Sequence, residues 1–183
     1  MVTEQLFTLK TVMGWVAVWA NVETLLGLSF GHRTEPQALR LLWKKCHFFE
    51  MHALGVGRPK SGWQTDLASR LADFAAGRQV EFENVPLELT HLTNFRRRVV
   101  EACRRIPFGE TVTYSQLAVR AGSPRAARAV GTTMAQNRFP IVVPCHRVVG
   151  ADGALRGYSA PRGIVLKQRL LSLERRGSSS SRL

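Results

Sequence analysis

The chain is short of cysteine, of long apolar runs and, in its second half, of acidic residues. Its three cysteines, Cys46, Cys103 and Cys145, are odd in number and widely spaced, with no CxxC pair. That excludes a disulfide framework and suggests no structural zinc. It fits a reducing, cytoplasmic setting, nucleoid-associated if the source is bacterial. No apolar run approaches the roughly 18 residues of a membrane span, so no membrane partner is expected. Val12 to Ala20 imitates the apolar core of a signal peptide. The segment before it carries Glu4 and Lys10 and lacks the basic flank of such a peptide, so the stretch reads as a β-strand.

The shortage of acid is local. Residues 1–93 hold nine Lys/Arg and nine Asp/Glu, whereas residues 94–183 hold seventeen against four. The whole net charge of +13 therefore sits in the second half. A field of one sign suits a polyanion, and nucleic acid is the commonest. The alternative is a basic surface with no specific partner.

What is present divides into two units. Residues 1–90 read as a small α/β support domain. Short apolar runs break at Gly14 and around Asn21–Glu23, which suits antiparallel hairpins. "TEPQALRLLWKKC" has Thr34 as N-cap and Pro36 early in a helix. "WQTDLASRLADFAAG" is a second helix closed by Gly77. "RQVEFENVPLEL" reads as a strand and an extended connection. Residues 91–176 are mainly helical. Phe95, Val99, Ala102 and Ile106 form one stripe that Pro107 stops, with an arginine run on the other, solvated side. "SPRAARAVGTTMAQN" is a helix with Ser123 as N-cap and Pro124 at its first position, and Asn137 is placed to end it in a left-handed conformation. Residues 177–183, rich in serine and arginine, read as a disordered tail. The fold class is α/β (α+β): an N-terminal antiparallel sheet with helices, then a helical domain carrying a winged-helix-like helix-turn-helix.

The second helix of that pair is unusual. Ala126, Ala127, Ala129 and Gly131 leave a face with almost nothing larger than a methyl, from which Arg128 projects. Such a face permits close approach to a surface, or tight packing inside the protein.

"FPIVVPCHRVVG" places Cys145 after a proline and before His146. A thiolate is the reactive form, and an adjacent histidine oriented by a carboxylate promotes it. Neighbours in an extended strand point to opposite faces, so contact between the two needs a turn after Pro144 or a water between them. Glu174, one of four acids in this half, is the candidate orienter. Spacing alone favours a buried structural cysteine over a reactive one.

The combination "IPFGETVTYSQLA", "SPRAARAVGTTMAQN", "IVVPCHRVVG" and "GYS", in that order over residues 92–175, resembles the O6-alkylguanine-DNA alkyltransferase family. The N-terminal half resembles the family's variable domain in outline only. The resemblance implies a single-turnover transfer of a methyl or alkyl group from O6-alkylguanine, and also O4-alkylthymine, in double-stranded DNA to Cys145. His146, polarised by Glu174, draws the thiol proton through water. Tyr114 donates a proton to the departing base, Asn137 is the hinge, and Arg128 fills the space of a base flipped out. Ala126, Ala127, Ala129 and Gly131 lie in the minor groove. Pro140, Val148, Tyr158 and Ser159 line the base pocket. Arg96, Arg125 and Arg138 are candidate phosphate contacts. No cofactor and no metal is implied. The protein is expected to act as a monomer, with cooperative binding on DNA left open. The loop "GYSAPRG" carries about two more residues than many members have, which bears on alkyl size.

Three rivals are weighed. A non-catalytic lesion sensor of the alkyltransferase-like kind replaces the cysteine that is present here. A transcription factor needs base-reading side chains that the small-faced helix lacks. A cysteine hydrolase needs an oxyanion hole that sequence does not display.

Overall fold

Alternation along the first three strands sorts two apolar sets onto two faces of one sheet. In the computed structural model, which describes residues 4–46, 55–155 and 163–180, β1 (Gln5–Thr11), β2 (Gly14–Ala20) and β3 (Leu25–His32) form an antiparallel meander. β4 (Val56–Gly57) adds to β1 in parallel, giving the order β3-β2-β1-β4. Leu6, Ala17, Trp19 and Leu26 pack under α1 (Glu35–Cys46), against Ala38, Leu42 and Cys46. Phe7, Val16, Val18 and Phe30 face the opposite side, where Leu67, Leu71 and Phe74 of α2 (Gly62–Ala75) cover them. β2 is thus covered on both faces, which is why it reads as a continuous apolar run. Gly14, at φ +119°, turns β1 into β2. A Cβ there would lie 2.4 Å from His32 O, so no larger residue fits.

α1 starts as expected, with Thr34 Oγ1 accepting from Gln37 N at 3.4 Å. α2 is closed by Gly77 at φ +88°. The strand expected in "RQVEFENVPLEL" is not formed. That segment makes one isolated bridge, Leu25 to Leu87, with hydrogen bonds to Leu25 on either side. Its Phe82 and Val85 are drawn into the core, and the carbonyls of Phe82, Glu83 and Val85 turn to Arg104 Nη2 instead of a neighbouring strand.

The second half packs α3 (Asn94–Arg104), α4 (Tyr114–Arg120), α5 (Ala127–Ala135) and α6 (Ile164–Ser180) around a two-stranded parallel sheet. In it β5 (Val112–Thr113) pairs with β6 (Val148–Val149). Thr113 then caps α4 in a reciprocal box with Gln116. The arginine run of α3 is not simply solvated: Arg97 donates to Leu89 O and Arg98 to Ala121 O. Ser123 does not cap α5. It closes a turn with Ala126, and the helix begins at Ala127. Asn137 is not left-handed either, because Gln136 ends the helix and the Asn137 amide is engaged elsewhere. α6 continues to Ser180, into the segment read as a tail.

The apolar cluster beneath α2 runs without a break into Val99, Leu117, Val130, Cys145 and Leu170. Leu28 N in β3 donates to Arg138 O at 2.8 Å. The sheet of the first half thereby holds the chain just ahead of "FPIVVPCHR".

Candidate active site and DNA-facing helix

Proline 144 sets the direction of the cysteine. Its ring holds φ at −78° with ψ 62°, and Cys145 N donates to Val143 O at 2.8 Å, an inverse γ-turn. The chain leaves this turn as a short 3₁₀ helix, Cys145–Arg147. Cys145 and His146 are therefore not strand neighbours on opposite faces.

Asn137 holds the loop that precedes this turn. Its Oδ1 accepts from Phe139 N at 2.9 Å, and its Nδ2 donates to Val143 O at 2.9 Å and to Cys145 Sγ at 3.2 Å. Val143 N returns to Phe139 O at 2.7 Å, and Pro140 pairs with Val143. Between them Ile141 sits at φ +75°, the one non-glycine residue at positive φ among those described. For a β-branched residue this costs on the order of 1–3 kcal/mol. The hydrogen bonds on both sides over-determine the strained turn.

The acid-base partners are buried behind the thiol. His146 Nε2 lies 2.8 Å from Glu174 Oε1, and both side chains are fully buried. Arg147 grips the same carboxylate, Nε at 3.0 Å and Nη2 at 2.9 Å, while its Nη1 donates to Ile106 O at 2.5 Å. Gly109 N adds a fourth donor at 3.0 Å. Burial pushes the carboxyl up, but the bonds from His146 and Arg147 outweigh it and hold it down at about 2. Burial also pushes the imidazole below its ordinary value, so His146 is neutral near pH 7 and Arg147 supplies the charge that keeps Glu174 ionised. A carboxylate accepts only, so the ring proton is on Nε2. Nδ1 is then the lone-pair nitrogen. It is buried with no hydrogen-bond partner among the described residues. The Phe74 ring of α2 lies 6.1 Å from the imidazole, tilted against it at 59°.

Cys145 is 7% exposed. Burial pushes its thiol up, opposed by the Asn137 hydrogen bond and by the charges of Lys45 and Lys167. At rest the sulfur is protonated.

Lys167 is fully buried and donates to Val148 O at 2.6 Å, with its ammonium 6.0 Å from the centre of the Tyr114 ring. Tyr114, at the start of α4, passes over α5 beside Gly131. Along α5 and the turn before it, Arg125, Arg128 and Ala129 are exposed, and Ala126, Ala127 and Gly131 half-buried. A Cβ on Gly131 would meet Tyr114 only at 3.8 Å, an ordinary contact. At Gly131, internal packing does not require the absence of a side chain. Arg96 and Arg138 line a groove of about 600 Å³ with Lys44, Lys45 and His91. The structure brings Cys145, Asn137, Pro140 and Val148 around one loop, and His146 and Glu174 behind it. Tyr158 and Ser159, with the longer loop after them, lie outside the described residues.

The family model for the DNA-binding domain of 6-O-methylguanine DNA methyltransferase matches residues 94–176. A methylated-DNA–protein-cysteine methyltransferase of Mycolicibacterium paratuberculosis is 43% identical over 128 residues, 67% of this chain and 75% of that protein. The chain belongs to the methylated-DNA–protein-cysteine methyltransferase family. The likeness extends through both halves. The Mycobacterium tuberculosis OGT crystallised with DNA superposes with a TM-score of 0.73 at 32% identity, covering 94% of each chain. The O6-methylguanine-DNA methyltransferase of Pyrococcus kodakaraensis shares the fold, with a TM-score of 0.69 at 23% identity over 94% of this chain and 99% of that one.

Beside the residues expected from sequence, the structure places three basic side chains around this candidate site that the sequence reading missed. Arg147 stands next to the Cys-His pair, and the scarcity of acids gave no hint that it shares Glu174. Lys167 does carry a signal: it lies seven residues before Glu174, on the stripe Lys167, Leu170, Leu171, Glu174 that α6 buries. A lysine at a core position of an amphipathic helix asks for a partner. Lys45, from the first half, reaches Asn137 O and has no such signal.

Proposed function

We propose that this methyltransferase repairs DNA by direct reversal, moving a methyl or larger alkyl group from O6 of guanine, and also from O4 of thymine, to its own Cys145 Sγ. The observation that carries this is the thiol held by Asn137, backed by a neutral His146 whose ring proton is fixed by the Glu174–Arg147 pair. The sulfur attacks the alkyl carbon, the carbon–oxygen bond breaks and a thioether forms. The thiol proton passes through a bridging water to His146 Nδ1. The electron pair goes to the guanine, which takes a proton from Tyr114. A thioether is not readily hydrolysed, so each molecule acts once.

α5 enters the minor groove on its small face, Arg128 occupies the place of the flipped base, and Arg125, Arg96 and Arg138 contact phosphates. Pro140, Val148, Tyr158 and Ser159 form the base pocket. No helix among the described residues is long and apolar enough to cross a membrane. A cytoplasmic, DNA-associated protein working as a monomer is the reading we favour. Stoichiometry tests it. With excess O6-methylguanine duplex, guanine should be restored to a plateau of one per protein, and Cys145→Ser should bind the duplex but restore none. Continued turnover beyond one would overturn it.

A further inference from the structure

The first half of the chain reaches the reactive loop through one charged side chain. Lys45, in the last turn of α1, donates from Nζ to Asn137 O at 3.3 Å. The side chain of the same Asn137 donates to Cys145 Sγ at 3.2 Å. One ammonium is therefore a single residue removed from the sulfur, and it comes from an element that carries no other part of the site. Among the described residues, the groove it lines holds Lys44, His91, Arg96 and Arg138 and no carboxylate. His32 of β3, pushed down to about 4 by burial and by Lys45, is neutral near pH 7.

We propose that Lys45 is a positioning residue of the transfer reaction: it fixes Asn137 through its carbonyl and supplies the positive charge that favours the Cys145 thiolate. The coupling is mutual. Lys45 pulls the thiol down against burial, and the thiolate pulls the ammonium up against burial. Among the described residues, the other charge acting on Cys145 is Lys167 of α6, and Cys103 of α3 lies within the field of the thiolate. Lys167 is fixed on Val148 O, and Cys103, pushed well above the ordinary thiol range by full burial, stays protonated. Lys45 is the member of this set whose removal changes the field at sulfur without touching the core of the second half. The N-terminal half then does more than support the fold.

This inference rests on Cys145 as the reacting thiol, and its test separates the two ideas. The full-length chain is treated with iodoacetamide from pH 6 to pH 10, and carbamidomethylation of the peptide Phe139–Arg147 is followed by mass. Lys45→Met should shift the rate profile about one pH unit upward, a roughly tenfold slowing near pH 7. Lys45→Gln, which keeps a donor for Asn137 O but no charge, should show the same shift. Lys45→Arg should return within about twofold of the parent chain. A parent-like profile for both Met and Gln variants, at parent-like melting temperature, overturns the proposal. A shifted profile in a chain that takes no methyl from DNA would instead overturn the repair reading and leave Lys45 in its role.

Discussion

Glu174 is the residue on which most of the buried charge converges. Its carboxyl titrates near 4.5 in an unfolded chain and at about 2 in the folded one. The unfolded state therefore takes up the proton first as pH falls. The stabilisation is complete above about 4.5 and is lost as pH drops toward 2. Urea midpoints should fall steeply across that window. Glu174→Gln should flatten this dependence, and at pH 7 should cost about 3–5 kcal/mol, because it leaves Arg147 buried without a counter-charge. Equal acid sensitivity in parent and variant would place the titration elsewhere. Asn137 is the second such residue. Asn137→Ala removes three hydrogen bonds and leaves Phe139 N–H unpaired in the interior. A loss of about 2–4 kcal/mol is expected, with slower alkylation of Cys145. Unchanged denaturation would mean that the strained turn at Ile141 holds itself.

At the scale of elements, α5 separates binding from stability. Ala129 is exposed, so Ala129→Leu should leave stability within about 0.5 kcal/mol. The same change should weaken binding to a DNA duplex by tenfold or more, because the helix is held away from the groove floor. Fluorescence anisotropy with a labelled duplex measures it, and undiminished affinity would put the DNA on another surface. The legibility of the elements follows the range of the forces that make them. α1, α2 and α3 announce themselves through local signals, Thr34 as a cap, Gly77 as a stop and the stripe that Pro107 ends, whereas the Thr93 cap and the Thr113–Gln116 box come from the structure. The missing strand at residues 78–89 is decided by a tertiary contact, Arg104 reaching three carbonyls, and the late start of α5 by a local turn in which Ser123 O accepts from Ala126 N. The site divides likewise. Cys145, His146, Asn137 and Tyr114 sit in a motif, and Glu174 stands out as a rare acid. Arg147, Lys167 and Lys45 take their meaning from partners 27, 19 and 92 residues away.

Over the whole molecule, the charge is divided between a neutral first half and a second half carrying all of the +13. Binding to DNA should therefore fall linearly in log–log form with salt, and each phosphate-contacting arginine removed should lower the slope by about one. Arg125→Ala and Arg138→Ala are the variants to compare. An unchanged slope in both would mean that these charges are only solvated. The two halves share one apolar core, and the Phe74 ring of the first half lies against His146 of the second. The proposed reaction belongs to that joined structure and leaves Cys145 as a thioether. The direct measurement is the mass of the tryptic peptide Phe139–Arg147 after incubation with duplex DNA carrying one O6-methylguanine. A gain of one methylene at Cys145, stopping at one per protein, is the predicted result. A peptide of unchanged mass from protein that has bound the lesion would contradict the account.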